Sequence, residues 1–87
     1  MPHVTIYTID YCPYCIAAIE LLQSKGIAFE EINLTGNRQG RSELRERAGG
    51  RYTVPQIWIG QTHVGGCDDL HALQDAGKLD PLLAGTV

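Results

Sequence analysis

The chain has 87 residues, 44% of them hydrophobic and 20% charged, with a formal net charge of −3. That is enough apolar material for one core and too little for two, so residues 1–87 read as a single domain that buries roughly 60–65% of its unfolded surface. The acidic balance, with no basic cluster beyond residues 38–47, argues against a nucleic-acid surface, and no segment approaches the ~20 apolar residues of a membrane span. Met1-Pro2-His3-Val4 has neither the charged start nor the apolar stretch of a signal peptide. Three cysteines would leave one thiol over in a secreted disulfide framework, so a reducing, cytoplasmic setting is expected.

In chain order, His3-Val4-Thr5-Ile6-Tyr7-Thr8 is a β-branched and aromatic run that reads as a first strand. Cys12-Pro13-Tyr14-Cys15 follows it directly and opens a helix predicted over 13–25. Ile16, Ile19, Leu22 and Gln23, with Ala17 and Ala18, form its stripe, and Ser24-Lys25-Gly26 closes it with a cation and a residue suited to the left-handed cap. Two thiols therefore stand where a strand hands over to a helix. The first backbone N–H groups of a helix lack intrahelical partners, and the aligned peptide dipoles leave partial positive charge there, which favours a thiolate. A free cysteine titrates near ~8.5 and such a setting lowers it to roughly 3.5–7.5, so Cys12 is expected to be exposed, acidic and nucleophilic. Residues i and i+3 share a helix face, which puts Cys15 beneath Cys12 as the resolving thiol. Pro13, with its preset φ, suits the first helical position and stiffens the turn. A static disulfide or half of a zinc site is the competing reading of the same four residues.

Residues 27–34 read as a second strand, with Ala28, Ile32 and Leu34 on one face and Phe29 on the other, before Thr35-Gly36-Asn37 breaks it. Strand, helix, strand in this order implies a parallel crossover. A second helix, capped by Asn37 or its neighbours, runs to about Ala48; Leu44 and Ala48 alone form its apolar face, so it should be half exposed, and Gly49-Gly50 ends it. Gln56-Ile57-Trp58-Ile59, Gly60-Gln61 and Thr62-His63-Val64 make a hairpin in which Trp58 faces the side opposite Ile57 and Ile59, against a helix. Gly65-Gly66 precedes a third helix begun by Cys67-Asp68-Asp69, with Leu70, Leu73 and Ala76 buried and Gly77 at its end, and Asp80-Pro81-Leu82-Leu83 adds an apolar tail. The resulting order is β-α-β-α-β-β-α. His63, Cys67 and His71 have a spacing that could hold a metal on one continuous helix, but Gly65-Gly66 interrupts it, so no metal is expected.

Cys12-Pro13-Tyr14-Cys15, Thr53-Val54-Pro55 and Gly65-Gly66-Cys67-Asp68-Asp69, in this order and at these separations, resemble the three signatures of the glutaredoxin family, and most of all its small bacterial dithiol members. The resemblance runs from Val4 to Leu83. It implies an α/β thioredoxin-like fold with a four-stranded mixed sheet flanked by three helices. The implied activity is reduction of protein disulfides and protein-glutathione mixed disulfides by a monomer with no bound cofactor and glutathione as co-substrate. It further implies a cis peptide before Pro55, whose turn lets the Val54 main chain pair with glutathione as an added strand. Glutathione also carries an α-carboxylate and an α-ammonium. The N–H groups of Cys67 and Asp68 at the helix start can hold the first, an Asp side chain, preferably Asp69, can take the second, and Gly66 allows close approach. Tyr14 is expected to pack beside the peptide, and Cys67 to be a spare, partly buried thiol.

One departure from the family stands out. Ile9 occupies the place where many relatives carry a lysine that holds the glycine carboxylate of glutathione; Arg41, at the start of the second helix, is the candidate replacement. Two rival functions share these residues: an iron–sulfur cluster carrier using Cys12 and glutathione, disfavoured by Pro13 and Cys15, and a redoxin dedicated to one partner enzyme, which would not need the Gly65 to Asp69 segment.

Overall fold

The computed structural model describes residues 2–51 and 53–85. Its elements are β1 (Val4–Thr8), α1 (Pro13–Ser24), β2 (Glu30–Asn33), α2 (Arg38–Arg47), β3 (Gln56–Ile59), β4 (Thr62–Gly65), α3 (Cys67–Asp75) and α4 (Leu79–Ala84). The four strands form one sheet in the order β2-β1-β3-β4. β1 runs parallel to β2 across the α1 connection, while β1 with β3 and β3 with β4 are antiparallel.

Alternation along β1 and β3 divides the apolar side chains between two faces. Val4, Ile6, Ile57 and Ile59 meet Ala18 and Leu22 of α1, Cys67 and Leu70 of α3, and Leu79 and Leu83 of α4. On the opposite face Trp58 packs with Leu34, Leu44 and Ala48, and Tyr7, Ile9, Ile32 and Val54 close around them. Leu44 with the capping Ala48 is thus enough to seat α2, as its thin apolar face predicts. The Asn37 side chain accepts from the Gly40 N–H at 2.9 Å and starts that helix.

Four expectations are corrected. β2 is half the predicted length: Ile27 and Phe29 still pack against the core, but the ladder pairs only Glu30 to Asn33 with β1, and Ala28 is exposed. On α1 the buried stripe is Cys15, Ala18 and Leu22, which leaves Ile16, one step of about 100° round the helix from Cys15, 55% exposed. Ala76 is likewise exposed as the cap of α3, and Cys67 joins Leu70 on the buried side instead. The apolar tail is a short fourth helix, α4, begun with Pro81 in its first turn, where a missing N–H loses no bond. The ion pair between Lys25 and Asp80, 2.9 Å apart, ties α4 to the end of α1.

Candidate active site

The C-terminal end of β1 delivers the chain to the dithiol turn. Tyr11 turns it with φ 59, in the left-handed region, and is 99% exposed, so the next residue points back toward the sheet. Cys12 is the N-cap of α1; its sulfur accepts the Cys15 N–H at 3.2 Å and lies 3.9 Å from the carbonyl oxygen of Val54. Cys12 is not the exposed residue that its helix position predicts: it keeps only 9% of its surface, because the turn before Pro55 and the first turn of α1 close around it. The sulfur sits at the foot of the site rather than on an open surface.

Cys15, one helical turn on, is 2% exposed, and both thiols are free. Burial first, and then the bond to Cys12, push the Cys15 thiol up to about 12, while a backbone bond from Ile9 pulls the other way. The sheltered neighbour is therefore a protonated thiol at neutral pH. At pH 7.5, iodoacetamide should alkylate Cys12 and leave Cys15 unmodified in the folded chain, which peptide mass spectrometry reads directly; preferential labelling of Cys15 would contradict the geometry. The unfolded chain ionises this thiol nearer its ordinary 9.0, so stability from this group falls as pH rises from there toward about 12.

Beside the sulfur opens a groove of about 300 Å³ lined by Tyr14, Arg51, Thr53, Val54, Pro55, Gly66, Cys67, Asp68 and Asp69. The Val54-Pro55 peptide is cis, as the resemblance implies. Its second wall is the start of α3. There the Gly66 N–H donates to Asp69 Oδ2 at 2.9 Å, and Arg51 Nη2 donates to the same oxygen at 3.1 Å. The Gly66 N–H, and then Arg51, hold the Asp69 carboxyl below the usual carboxylate range against the opposing effect of burial. Gly65 lets this happen: its φ of 111 suits glycine, and a β carbon there would run into Asp69 Oδ2 and Arg51 Nη1.

All the residues assigned from sequence to the groove line it except Arg41. That arginine shares a second hollow of about 430 Å³ with Ile9, Asp10, Tyr11, Leu34 and Arg38. The groove's own cation is Arg51, which sequence reasoning passed over; its signal was a single charge set between Gly49-Gly50 and Thr53-Val54-Pro55. Cys67 lies on the groove wall with its sulfur 3.4 Å from His71 Nδ1. Burial, then Asp68 and Cys12, raise the pKa of the Cys67 thiol, which suits the spare-thiol reading. His63 turns away to Trp58 and Gln56, and among the described residues no three His, Cys, Asp or Glu side chains converge as metal ligands.

Residues 4–64 match the glutaredoxin family model. A glutaredoxin of Pseudomonas aeruginosa is 63% identical over 84 residues, covering 97% of this chain and 99% of the relative. The solution structure of a glutaredoxin from Brucella melitensis, 52% identical, superposes with a TM-score of 0.85 over 100% of this chain and 95% of that one. A buckwheat glutaredoxin–glutathione complex, 28% identical, gives a TM-score of 0.86 over 98% of this chain and 79% of that one. With a dithiol at a helix N-terminus, a cis-proline turn across from it and a matching fold throughout, the chain belongs to the glutaredoxin family of glutathione-dependent thiol-disulfide oxidoreductases.

Proposed function

We propose that this chain reduces protein-glutathione mixed disulfides and protein disulfides, with glutathione seated in the groove beside Cys12. The observation that carries this reading is the groove itself: a main-chain edge at Val54 on one wall, a helix N-terminus on the other, and the sulfur of Cys12 at its foot. The Val54 main chain pairs with the tripeptide backbone, and Thr53 and Tyr14 flank it. The first N–H groups of α3, at Cys67 and Asp68, face the γ-glutamyl carboxylate. Asp69 Oδ2 already accepts from Gly66 and Arg51, which leaves its other oxygen and exposed Asp68 for the ammonium. Arg41, which shares the second hollow with Ile9, is the cation assigned to the glycine carboxylate, where Ile9 supplies no charge.

In the reaction, the Cys12 thiolate attacks the glutathione sulfur of a mixed disulfide. The S–S bond breaks, its electron pair leaves with the target sulfur, and that sulfur takes a proton. A second glutathione, as thiolate, attacks the sulfur of glutathione held on Cys12, forming oxidised glutathione and restoring Cys12. With a protein disulfide, Cys12 forms the mixed disulfide and Cys15 gives up its proton to attack the Cys12 sulfur; two glutathiones later reduce the Cys12–Cys15 bond. The N–H of Cys15 and the α1 terminus face the sulfur that carries negative charge through these steps. Three cysteines, one outside the motif, fit a reducing cytoplasmic setting, and among the described residues no helix is long and apolar enough to cross a membrane.

The test is to oxidise the dithiol and offer it either glutathione, with its reductase and NADPH, or thioredoxin reductase with NADPH. Recovery of both thiols by glutathione is the expected result. Recovery by the flavoprotein alone would assign the chain to a dedicated redoxin instead.

A further inference from the structure

Gln56 is fully buried (0% exposed) directly after the cis-proline turn, and a buried primary amide needs partners for its N–H groups and its oxygen. Its Nε2 lies 3.0 Å from the Thr53 carbonyl oxygen and 3.3 Å from Thr53 Oγ1, while its Oε1 lies 2.6 Å from His63 Nε2. The Thr53 carbonyl can only accept, so the amide nitrogen faces it and the amide oxygen faces His63. His63 Nε2 therefore carries a proton and donates. The imidazole is itself fixed: it stands opposite Trp58 in the β3–β4 ladder and stacks on the indole, with ring centres 4.4 Å apart and planes 16° apart. The Arg47 guanidinium sits 4.2 Å from the Trp58 ring centre. A run of contacts thus leads from α2 through the sheet to the main chain of Thr53, a wall of the groove.

We propose that His63 and Gln56 are positioning residues for the exchange reaction. The His63–Gln56 hydrogen bond orients the amide so that it grips Thr53, and that grip holds the Thr53-Val54-Pro55 main chain in the shape that pairs with the substrate peptide. The inference rests on the reading of the groove as the glutathione site. Misplacing a binding edge by a fraction of an ångström weakens docking without touching the sulfur chemistry, so the effect belongs in KM rather than kcat.

Two variants isolate the strap. His63→Phe keeps a flat aromatic face on Trp58 and deletes the donor; Gln56→Met keeps the shape of the side chain and deletes both ends of the link. With a glutathionylated peptide as substrate, each should raise KM about fivefold to tenfold, the scale of one neutral hydrogen bond, and leave kcat within about twofold. The double variant should be no worse than Gln56→Met alone, because both residues act through the same contact. The rate of Cys12 alkylation by iodoacetamide should not change. An unaltered KM in either folded variant, additive losses in the double variant, or a fall in kcat together with slower alkylation would overturn the proposal. Failure of the parent chain to saturate with the glutathionylated peptide would instead remove the groove reading itself, before any variant is compared.

Discussion

Cys12→Ser should abolish turnover on every disulfide substrate, a loss on the order of 10³-fold or more, while Cys15→Ser should keep the reduction of a glutathionylated peptide within about threefold and lose the reduction of an intramolecular protein disulfide. The difference follows from depth and position. Cys12 lies at the foot of the groove, at the helix N-terminus, with the N–H of Cys15 on its sulfur. Cys15 is more deeply buried and holds its proton to about 12, so an incoming disulfide does not meet it. It reacts only after Cys12 has formed a mixed disulfide, which brings an electrophilic sulfur to it. With a glutathione mixed disulfide a second glutathione can do that work, so the serine variant turns over. With a protein disulfide nothing else resolves the intermediate, and the Cys12-linked complex should accumulate and be visible on a non-reducing gel. NADPH oxidation coupled to glutathione reductase measures the first activity. Comparable activity in both serine variants would overturn the division of roles.

Gly65→Ala is expected to be the most damaging single-methyl change near the groove. At φ 111 an L side chain is strained, which costs on the order of 1–3 kcal/mol. The added carbon also displaces the Asp69 carboxylate and the Arg51 guanidinium, and with them the bond that caps α3, worth about 1 kcal/mol. The Arg51–Asp69 pair is half exposed and adds little of its own. The sum is about 2–4 kcal/mol, or a fall in Tm of roughly 10–20 °C in a chain of this size. Gly66→Ala is the contrast: φ is −94 and the new carbon would meet the Pro55 oxygen at an ordinary 3.4 Å, so Tm should move little. Asp69 adds a pH signature. Its folded pKa lies below the unfolded value, so its contribution is present above the unfolded pKa and is lost as pH falls through the folded one. Thermal melts between neutral pH and pH 3 should show a smaller acid-side loss for Gly65→Ala than for the parent chain. Equal slopes would show that Asp69 had kept its bonds.

The dithiol, the hairpin, the α2 cap and the opposite facing of Trp58 were legible because each depends on neighbours within a few positions. What escaped was long-range or one-sided. Arg51 gains meaning only from Asp69, 18 residues later, whereas Arg41 is visible from its place on a recognisable helix. The same pairing gives Asp69 Oδ2 both of its partners, a link that nothing local announces. β2 is shorter than its apolar run predicts because Ile27 and Phe29 are apolar for packing and not for pairing. Gln56 and His63 were visible only as strand residues, since nothing local tells that their side chains meet. The burial of Cys12 is not legible locally, because its helix position says which way the peptide dipoles point and nothing of the Val54 carbonyl 42 residues away that covers it.

That cover has a bearing on target choice. On the proposed function, a cysteine with nine-tenths of its residue surface closed off should act as a gauge of protrusion: linkages standing proud of their surroundings, as a lone tripeptide adduct does, should thread down to it, whereas crosslinks lying flush in a folded surface should stop at the rim. Selectivity should then reside largely in the topography of the client, with a crosslink expected to become a client when local unfolding lifts it clear.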